Sequence, residues 1–531
     1  MQALEKEPNS EVAVHTPFSE ATDIPRRGEN EPKRLHFSDL VPATEGLRST
    51  FKRCHNYLHV NGNLSKEKAF FELLKLIFCK VYDELETGGW MKFSITQDER
   101  RNELGQRRLR TRIQELFNAV KKNYPHIFPA RNEDIELDNR SLAYIVAELQ
   151  KFNFQETVSD IKGEAYEEIV SVTSRRDHGA FFTPRNVCDM AVGIVLATYS
   201  PEEQLKLKIL DPACGTGGFL RATLIHLRQN IENQVNAKWK DNKQRAKQDT
   251  IERLKRICDE NIYGIDKLAE LVRAAQMNLA MHGDGSTNIY NANSLLPPGA
   301  WVSNGNQAFN KIKMGQFDLV FTNPPFGSKL PIDDSYILEQ FELSISEAKA
   351  LRSSLPPEQL FIERCLKFLK PGGRMAIVLP DSILSNPGLA FIRRKILRSA
   401  YIIASIDLPR EMFARSDTHT MTSVLVLQKF TEGERRMVVE SGKIPEYEIF
   451  MAIADRVGWD LRGNPIYLRT PEGEEILRKT TRQITSRNVK GDVIEVTKEI
   501  EESIIDDQLP AVTQLFINWL KQGPPKRWMN G

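Results

Sequence analysis

Phe317-Asp-Leu-Val-Phe-Thr-Asn-Pro-Pro-Phe-Gly327 is the stretch around which the rest of the chain is arranged. Phe317 to Phe321 is a short apolar run of strand-forming residues, and the turn chemistry of Asn323, Pro324, Pro325 and Gly327 ends it abruptly. The tetrapeptide therefore belongs in a stiff loop at the carboxyl end of a strand, which in an open α/β sheet is where ligands bind. Asn before Pro is driven into extended backbone, and the second Pro stiffens the loop further. The Asn323 side chain and the Pro324 carbonyl are thus held with little freedom, and proline brings no N–H to compete. Two such carbonyl oxygens suit a substrate with two hydrogens on one nitrogen, such as an exocyclic amine whose lone pair is delocalised into a ring. Accepting both hydrogens draws the nitrogen towards tetrahedral geometry, exposes its lone pair and stabilises the positive charge that develops on attack. Phe326 adds a face on which a planar, extruded base can stack. Taken alone, the same residues also describe an ordinary Asn-Pro turn beside a core phenylalanine.

Around this run the pattern alternates. Strands are expected at 205–210, 262–265, 317–321, 374–379, 401–407 and 422–428, with helices from about 218 and at 267–281 and a charged connection at 231–257. Thr183 followed by Pro184 and the apolar positions Val187, Met190, Ala191, Ile194 and Val195 reads as an N-cap with proline at the first helical position. Alternating β and α elements predict an α/β domain over residues 176–430, built on a doubly wound, mostly parallel sheet.

Ahead of it, residues 37–175 read as a helical N-terminal domain, with Phe70, Leu73, Leu74, Ile77, Val81 and Leu85 at helical spacing and the pattern repeated near residues 113–120 and 142–149. Six arginines within residues 100–112 read as a solvated helix face or as phosphate contacts. Residues 1–36, rich in Glu, Pro, Asn, Thr and Arg, are expected to form a disordered tail. After residue 430 periodicity weakens. Residues 431–531 are expected to be a partner-binding segment whose last helix shows an apolar face (Val512, Leu515, Phe516, Trp519, Leu520) with no obvious local partner, the competing expectation being that it packs back on its own domain.

Composition narrows the classes. A hydrophobic share of 40%, a charged share of 27% and a net charge of only +2 over 531 residues are those of a soluble globular protein whose basic surface must be local. The start lacks the basic and apolar regions of a signal peptide, and no apolar run is long enough to span a bilayer, so a cytoplasmic protein without a membrane partner is expected. The six cysteines are scattered without a C-x-x-C pair, which points to neither a disulfide framework nor a structural zinc site.

A second constellation lies at Asp211-Pro-Ala-Cys-Gly215-Thr-Gly217-Gly218-Phe-Leu220. A glycine-rich turn between strand and helix lets a ligand approach the backbone and points helix N–H groups at an anionic group. The dinucleotide spacing fails because Leu220 stands where a third glycine is needed, and the only Gly-Lys, at 442 and 443, is followed by Ile444 rather than Ser or Thr. The acidic Asp211 suits a cationic ligand better than a phosphate. Downstream, Ile262-Tyr-Gly-Ile-Asp266 puts a carboxylate at the end of the second strand, where ribose hydroxyls are bound in such sheets, though Asp266 can equally cap the next helix.

Gly-Ala-Phe-Phe-Thr-Pro-Arg at 179–185, the glycine turn at 211–220 and Asn-Pro-Pro-Phe at 323–326, in this chain order, resemble the adenine-N6 DNA methyltransferases. The resemblance covers roughly residues 60 to 430 and is greatest to the modification (M) subunit of type I restriction-modification systems. It implies the S-adenosylmethionine-dependent methyltransferase fold and S-adenosylmethionine as cofactor. By that resemblance Ala180, Phe181, Phe182, Thr183, Pro184 and Arg185 belong to the cofactor pocket with Asp211, and Gly215, Thr216, Gly217 and Gly218 receive the methionine part. Asp266 binds the ribose, and Asn293, with Asp284 as competitor, meets the adenine ring. Asn323, Pro324, Pro325 and Phe326 are the implied catalytic residues, and no metal is needed. Implied partners are double-stranded DNA, a specificity (S) subunit and, as an option, a restriction (R) subunit.

Alternatives are a stand-alone DNA adenine methyltransferase, an enzyme methylating an amide nitrogen of a protein, and a non-catalytic scaffold. A deaminase is disfavoured because none of the nine histidines is followed two positions later by Glu. The long helical N-terminal region and the residues after 430 weigh against the protein-amide enzyme, and the intact Asn-Pro-Pro-Phe loop weighs against the scaffold.

Overall fold

Phe317–Thr322 is a strand near the middle of an eight-stranded sheet in the computed structural model of the chain. The structure describes residues 34–42, 46–86, 89–128, 133–154, 183–240, 242–282, 288–301, 308–327, 331–416, 420–444, 446–487 and 493–523. The strands are β1 (Ile209–Asp211), β2 (Ile262–Asp266), β3 (Ile289–Asn291), β4 (Phe317–Thr322), β5 (Leu369–Pro380), β6 (Ala400–Leu408), β7 (Thr422–Lys429) and β8 (Phe450–Ile453). They lie side by side in the order β8, β6, β7, β5, β4, β1, β2, β3. Only β7 is antiparallel to its neighbours.

The chain thus begins at β1, steps outward to β2 and β3, and returns across β1 to lay β4 on its other side. The order reverses between β1 and β4, and the crevice beyond the carboxyl ends of two such strands is where open sheets hold ligands. Both stretches singled out in the sequence leave the sheet at this point.

The sheet is buried on both faces, which is why its strands read as unbroken apolar runs. Leu319 and Phe321 point into one core with Phe219, Val187 and Ile209, while Phe317 and Val320 point into the other with Leu210 and Phe368. A register shift between Phe317 and Leu319 lets these two odd-numbered residues face opposite sides, as a bulge must.

The charged stretch expected as a connection is helical. α6 (Gly218–Lys238) continues through it and α7 (Lys243–Asn261) fills the remainder, burying Ala246, Thr250, Leu254, Ile257 and Cys258 at helical spacing and turning its charges outward. The helix after Thr183 is displaced by one residue from its expected start. α5 (Arg185–Leu196) has Pro184 at its N-cap, in extended backbone with ψ 147°, and no side chain caps it. Pro184 therefore precedes the helix instead of occupying its first turn, and its carbonyl accepts from Val187 and Cys188 N–H at 3.1 Å each. The other helices of eight residues or more after β2 are α8 (Ala269–His282), α9 (Pro357–Phe368), α10 (Ala390–Leu397), α11 (Glu432–Ser441) and α12 (Leu509–Lys521) among the described residues.

The chain divides into two compact units, residues 1–173 and 174–531. In the first, α1 (Gly46–Val60), α2 (Lys66–Glu86), α3 (Glu103–Asn123) and α4 (Asn139–Leu149) pack around Leu73, Ile77, Ile113, Phe117, Ile145 and Val146. A short parallel pairing joins Val41–Pro42 to Phe152–Asn153. Of the expected tail, residues 1–33 lie outside the described residues, while His36 bridges to Trp90. Four of the six arginines of the run bond within this unit. Arg112 is buried, with both terminal nitrogens on Glu99 at 2.5 and 2.9 Å, Arg110 donates to Asn139 and to the Ile135 and Leu137 carbonyls, and Arg107 and Arg108 pair with Glu103 and Asp98.

In the second unit the C-terminal stretch is more regular than its sequence promises. β8 extends the sheet, β9 (Leu477–Arg487) and β10 (Val493–Ser503) form an antiparallel hairpin, and α12 packs on α5. Leu509, Val512 and Phe516 are buried in the core that holds Val424 and Val426 of β7, so the apolar face of the last helix does have a local partner. At Gly193 of α5 an added Cβ would lie 3.1 Å from Thr513 Cγ2, a distance that marks how closely the two helices approach.

Candidate active site

Asp211 closes β1 and is buried, its Oδ1 accepting the Ala213 N–H at 3.1 Å. The turn that follows is tight: Gly217 N–H donates to the Cys214 carbonyl at 2.7 Å, and φ is +51° at Gly215 and +82° at Gly217. These left-handed conformations strain any residue with a Cβ, which is why glycine stands at both. Gly218 then opens α6, where an added Cβ would sit 3.2 Å from Cys188 Sγ and 3.8 Å from the Thr183 carbonyl oxygen. Thr183 is thereby brought alongside the turn. Pro184 and Arg185 follow it into α5, and Ala180, Phe181 and Phe182 lie outside the described residues.

Asp266, at the end of β2, grips this turn from the neighbouring strand. Its Oδ2 accepts the Gly215 N–H and its Oδ1 the Leu268 N–H, each at 2.9 Å. The helix-facing bond and the turn-facing bond coexist, and a carboxylate with about four lone-pair sites keeps acceptor capacity for a ligand. Burial raises the pKa of Asp266, its backbone donors opposing the rise. Burial likewise pushes Asp211 up to about 8, against the Ala213 N–H and Thr322 beside it, with the Asp266 charge adding a little.

The loop after β3 completes this side. Asn293 Oδ1 accepts from Leu295 N–H at 3.1 Å, its carbonyl takes the Trp301 Nε1–H at 2.9 Å, and Ser294 Oγ donates to the Pro212 carbonyl at 2.5 Å. Asn293 is half-buried, two residues past the strand, and Asp284 lies outside the described residues. Four supports escaped the sequence reading: Ser294, Trp301, Asn278, whose Nδ2 donates to the Thr216 carbonyl at 2.9 Å, and Glu358. Nothing local marks Ser294, Asn278 and Glu358, since each acts on a loop distant along the chain, whereas Trp301 closes its own loop from eight residues downstream of Asn293.

Asn323–Phe326 leaves β4, the strand paired with β1 through Ile209↔Leu319 and Leu210↔Val320. Pro324 is buried, Asn323, Pro325 and Phe326 are half-buried, and Phe326 packs against the core that contains Phe219 and Phe321. The Gly327 N–H ends the loop on Glu358 Oε2 at 3.0 Å. The structure thus gathers Thr183, Asp211, the turn at 215–218, Asp266 and Asn293 around the ends of β1–β3, with the Asn-Pro-Pro-Phe loop on the adjacent strand. Among the described residues no group of three or more His, Cys, Asp or Glu could hold a metal.

A mostly parallel sheet in this order, with the reversal between β1 and β4, defines the S-adenosylmethionine-dependent methyltransferase fold. Residues 157–445 match the family model described as N-6 DNA Methylase, and the chain belongs to that family. It is 26% identical over 298 residues to the type I restriction enzyme EcoEI methylase subunit of Escherichia coli, covering 55% of this chain and 51% of that one. To the type I restriction enzyme StySPI methylase subunit of Salmonella potsdam it is 24% identical over 393 residues, covering 72% and 66%. The chain thus spans about half to two thirds of the length of these relatives. Among solved structures, the type I restriction-modification methyltransferase subunit from Streptococcus thermophilus overlays with a TM-score of 0.48 at 19% identity, covering 73% of this chain and 85% of that one.

Proposed function

We propose that this chain transfers the methyl group of S-adenosylmethionine to N6 of an adenine flipped out of double-stranded DNA, as the methylating subunit of a type I restriction-modification complex. One observation carries the reading: the Asn323–Phe326 loop and the glycine turn leave paired strands at the point where the strand order reverses. Membership of the N-6 DNA methylase family supports it.

The residues fit the cofactor. An added Cβ on Gly215 would meet no atom within 4 Å, so open space adjoins a backbone that a ligand can approach. Asp211 and Asp266, whose pKa values burial raises, form no ion pair among the described residues; a ligand carrying positive charge would favour their ionised forms, and Asp266 retains acceptors for hydroxyls. Bound there, S-adenosylmethionine supplies a methyl group already activated on a positive sulfur.

The remaining work falls to the Asn-Pro-Pro-Phe loop. The Asn323 side-chain carbonyl and the Pro324 main-chain carbonyl accept the two N6 hydrogens, localising the lone pair on nitrogen and stabilising the charge that builds there. Phe326 stacks on the extruded base. The amine loses its proton to solvent once the N–C bond has formed, so no side chain need serve as base.

A specificity (S) subunit would read the DNA sequence, with a restriction (R) subunit as an optional third component. Met451 and Ile453 on the edge strand β8 are 75% and 72% exposed, Leu515 on α12 beside them is 59% exposed, and together they offer an apolar patch of the kind that marks interaction sites. Methylation-sensitive sequencing of DNA from cells expressing the chain, with and without its neighbouring genes, tests the reading. Methyladenine confined to one recognition sequence, and only when the partner genes are present, is the expected result. No methyladenine in any combination would overturn it.

A further inference from the structure

Glu358 lies outside every motif recognised in the sequence, yet it touches the loop on which the proposed chemistry depends. It is the second residue of α9, which opens with Pro357 after the N-cap Pro356 and buries Leu360, Phe361, Ile362 and Cys365 in the core. Glu358 is itself only 6% exposed, and its Oε2 accepts the Gly327 N–H at 3.0 Å. Burial raises its pKa, with the Gly327 N–H opposing the rise.

Pro324 and Pro325 have no N–H, so Asn323, Phe326 and Gly327 hold all the main-chain donors of the loop from 323 to 327. The upstream end of the loop is fixed by β4. The downstream end is fixed on α9 by a hydrogen bond to a carboxylate, the stronger kind when the acceptor is charged. A loop tied at both ends to rigid elements presents its carbonyls in one place, and preorganised acceptors are what stabilisation of a developing charge requires.

We propose that Glu358 is the positioning residue of the Asn323–Gly327 loop, holding it through Gly327 in the geometry that methyl transfer to the amine needs. The proposal rests on the function proposed above and deepens it. Glu358 acts through the loop, so its removal should act on kcat and leave the S-adenosylhomocysteine affinity and the substrate KM nearly unchanged. Misplacing a reacting group by about 1 Å can cost on the order of 100-fold in rate.

The test compares Glu358→Met, which keeps the volume and removes the acceptor, with Glu358→Gln, which keeps an acceptor. Both are made in the full chain, assayed with its co-expressed partners, and checked for folding by S-adenosylhomocysteine binding. Glu358→Ala takes the place of the methionine variant if that one does not fold. Amide hydrogen exchange across residues 317–327, followed by mass spectrometry, reads the loop independently of activity. The expected result is faster exchange and a roughly 100-fold fall in kcat for the methionine variant, with both largely restored by glutamine. Unchanged exchange, or wild-type kcat in a folded methionine variant, would overturn the positioning role. If the wild-type chain transferred no methyl group in any setting, the proposed function would fall, and the exchange comparison alone would still decide whether Glu358 holds the loop.

Discussion

Asp266 at the end of β2 holds the Gly215 N–H of the turn after β1 at 2.9 Å, so one carboxylate fixes the relation between the loops that leave two neighbouring strands. The same carboxylate accepts the Leu268 N–H at 2.9 Å and so also shapes the entry to α8. Removing it leaves two main-chain donors without their partner, and each such loss costs about 1–3 kcal/mol.

Asp266→Ala should therefore weaken S-adenosylhomocysteine binding strongly and lower the melting temperature as well. Asp266→Asn, which keeps one acceptor oxygen and loses the charge, should be intermediate in both. Calorimetric titration beside thermal unfolding separates the two effects, and unchanged affinity in the alanine variant would restrict Asp266 to its structural bonds.

Asn323→Ala removes the proposed acceptor for the amine while leaving the glycine turn untouched. Methyl transfer should fall by a factor of about 100 to 1000, the usual range for losing one such contact. Cofactor affinity should hardly move. Turnover at the wild-type rate in the purified complex would sink the role given to this loop.

Asp211 gives the ligand-free protein a pH signature. Burial pushes its carboxyl from 3.8 up to about 8 in the folded state, so the folded chain holds that proton more tightly than the unfolded one. Its contribution to stability is full below the unfolded value of 3.8 and is lost as the pH rises through about 8. Asp211→Asn cannot titrate and keeps an acceptor for Ala213. Melting curves recorded from about pH 5 to about pH 9 should show the variant gaining on the wild type as the pH rises. Parallel curves would mean that the group does not titrate there.

Phe516 and Leu515 are neighbours on α12 with opposite surroundings, 0% and 59% exposed. Phe516→Ala should cost about 3–5 kcal/mol through the cavity left against α5 and β8. Leu515→Asp should leave the melting temperature nearly unchanged and weaken association with the specificity subunit, read as lost co-purification. Intact co-purification would place the partner surface elsewhere.

What could be read along the chain was local chemistry. The strand and stop at Phe317–Gly327, the turn at Gly215–Gly218 and the helices of the first unit follow from spacing and from backbone preference, and neither needs a distant partner. The charges of Lys243–Asn261 misled because a helix can turn many charges to solvent while burying a narrow stripe, here Leu254, Ile257 and Cys258. Tertiary structure alone decided which strand lies beside which, and every long-range support of the site hangs on that order. Asp266 meets Gly215 across 51 residues, and Glu358 meets Gly327 across 31. Phe516 packs on Phe450 of β8, 66 residues earlier in the chain, and shares a core with Val424 and Val426 of β7, still further back. Such pairings depend on register and packing summed over the whole sheet, which side-chain type at one position does not encode.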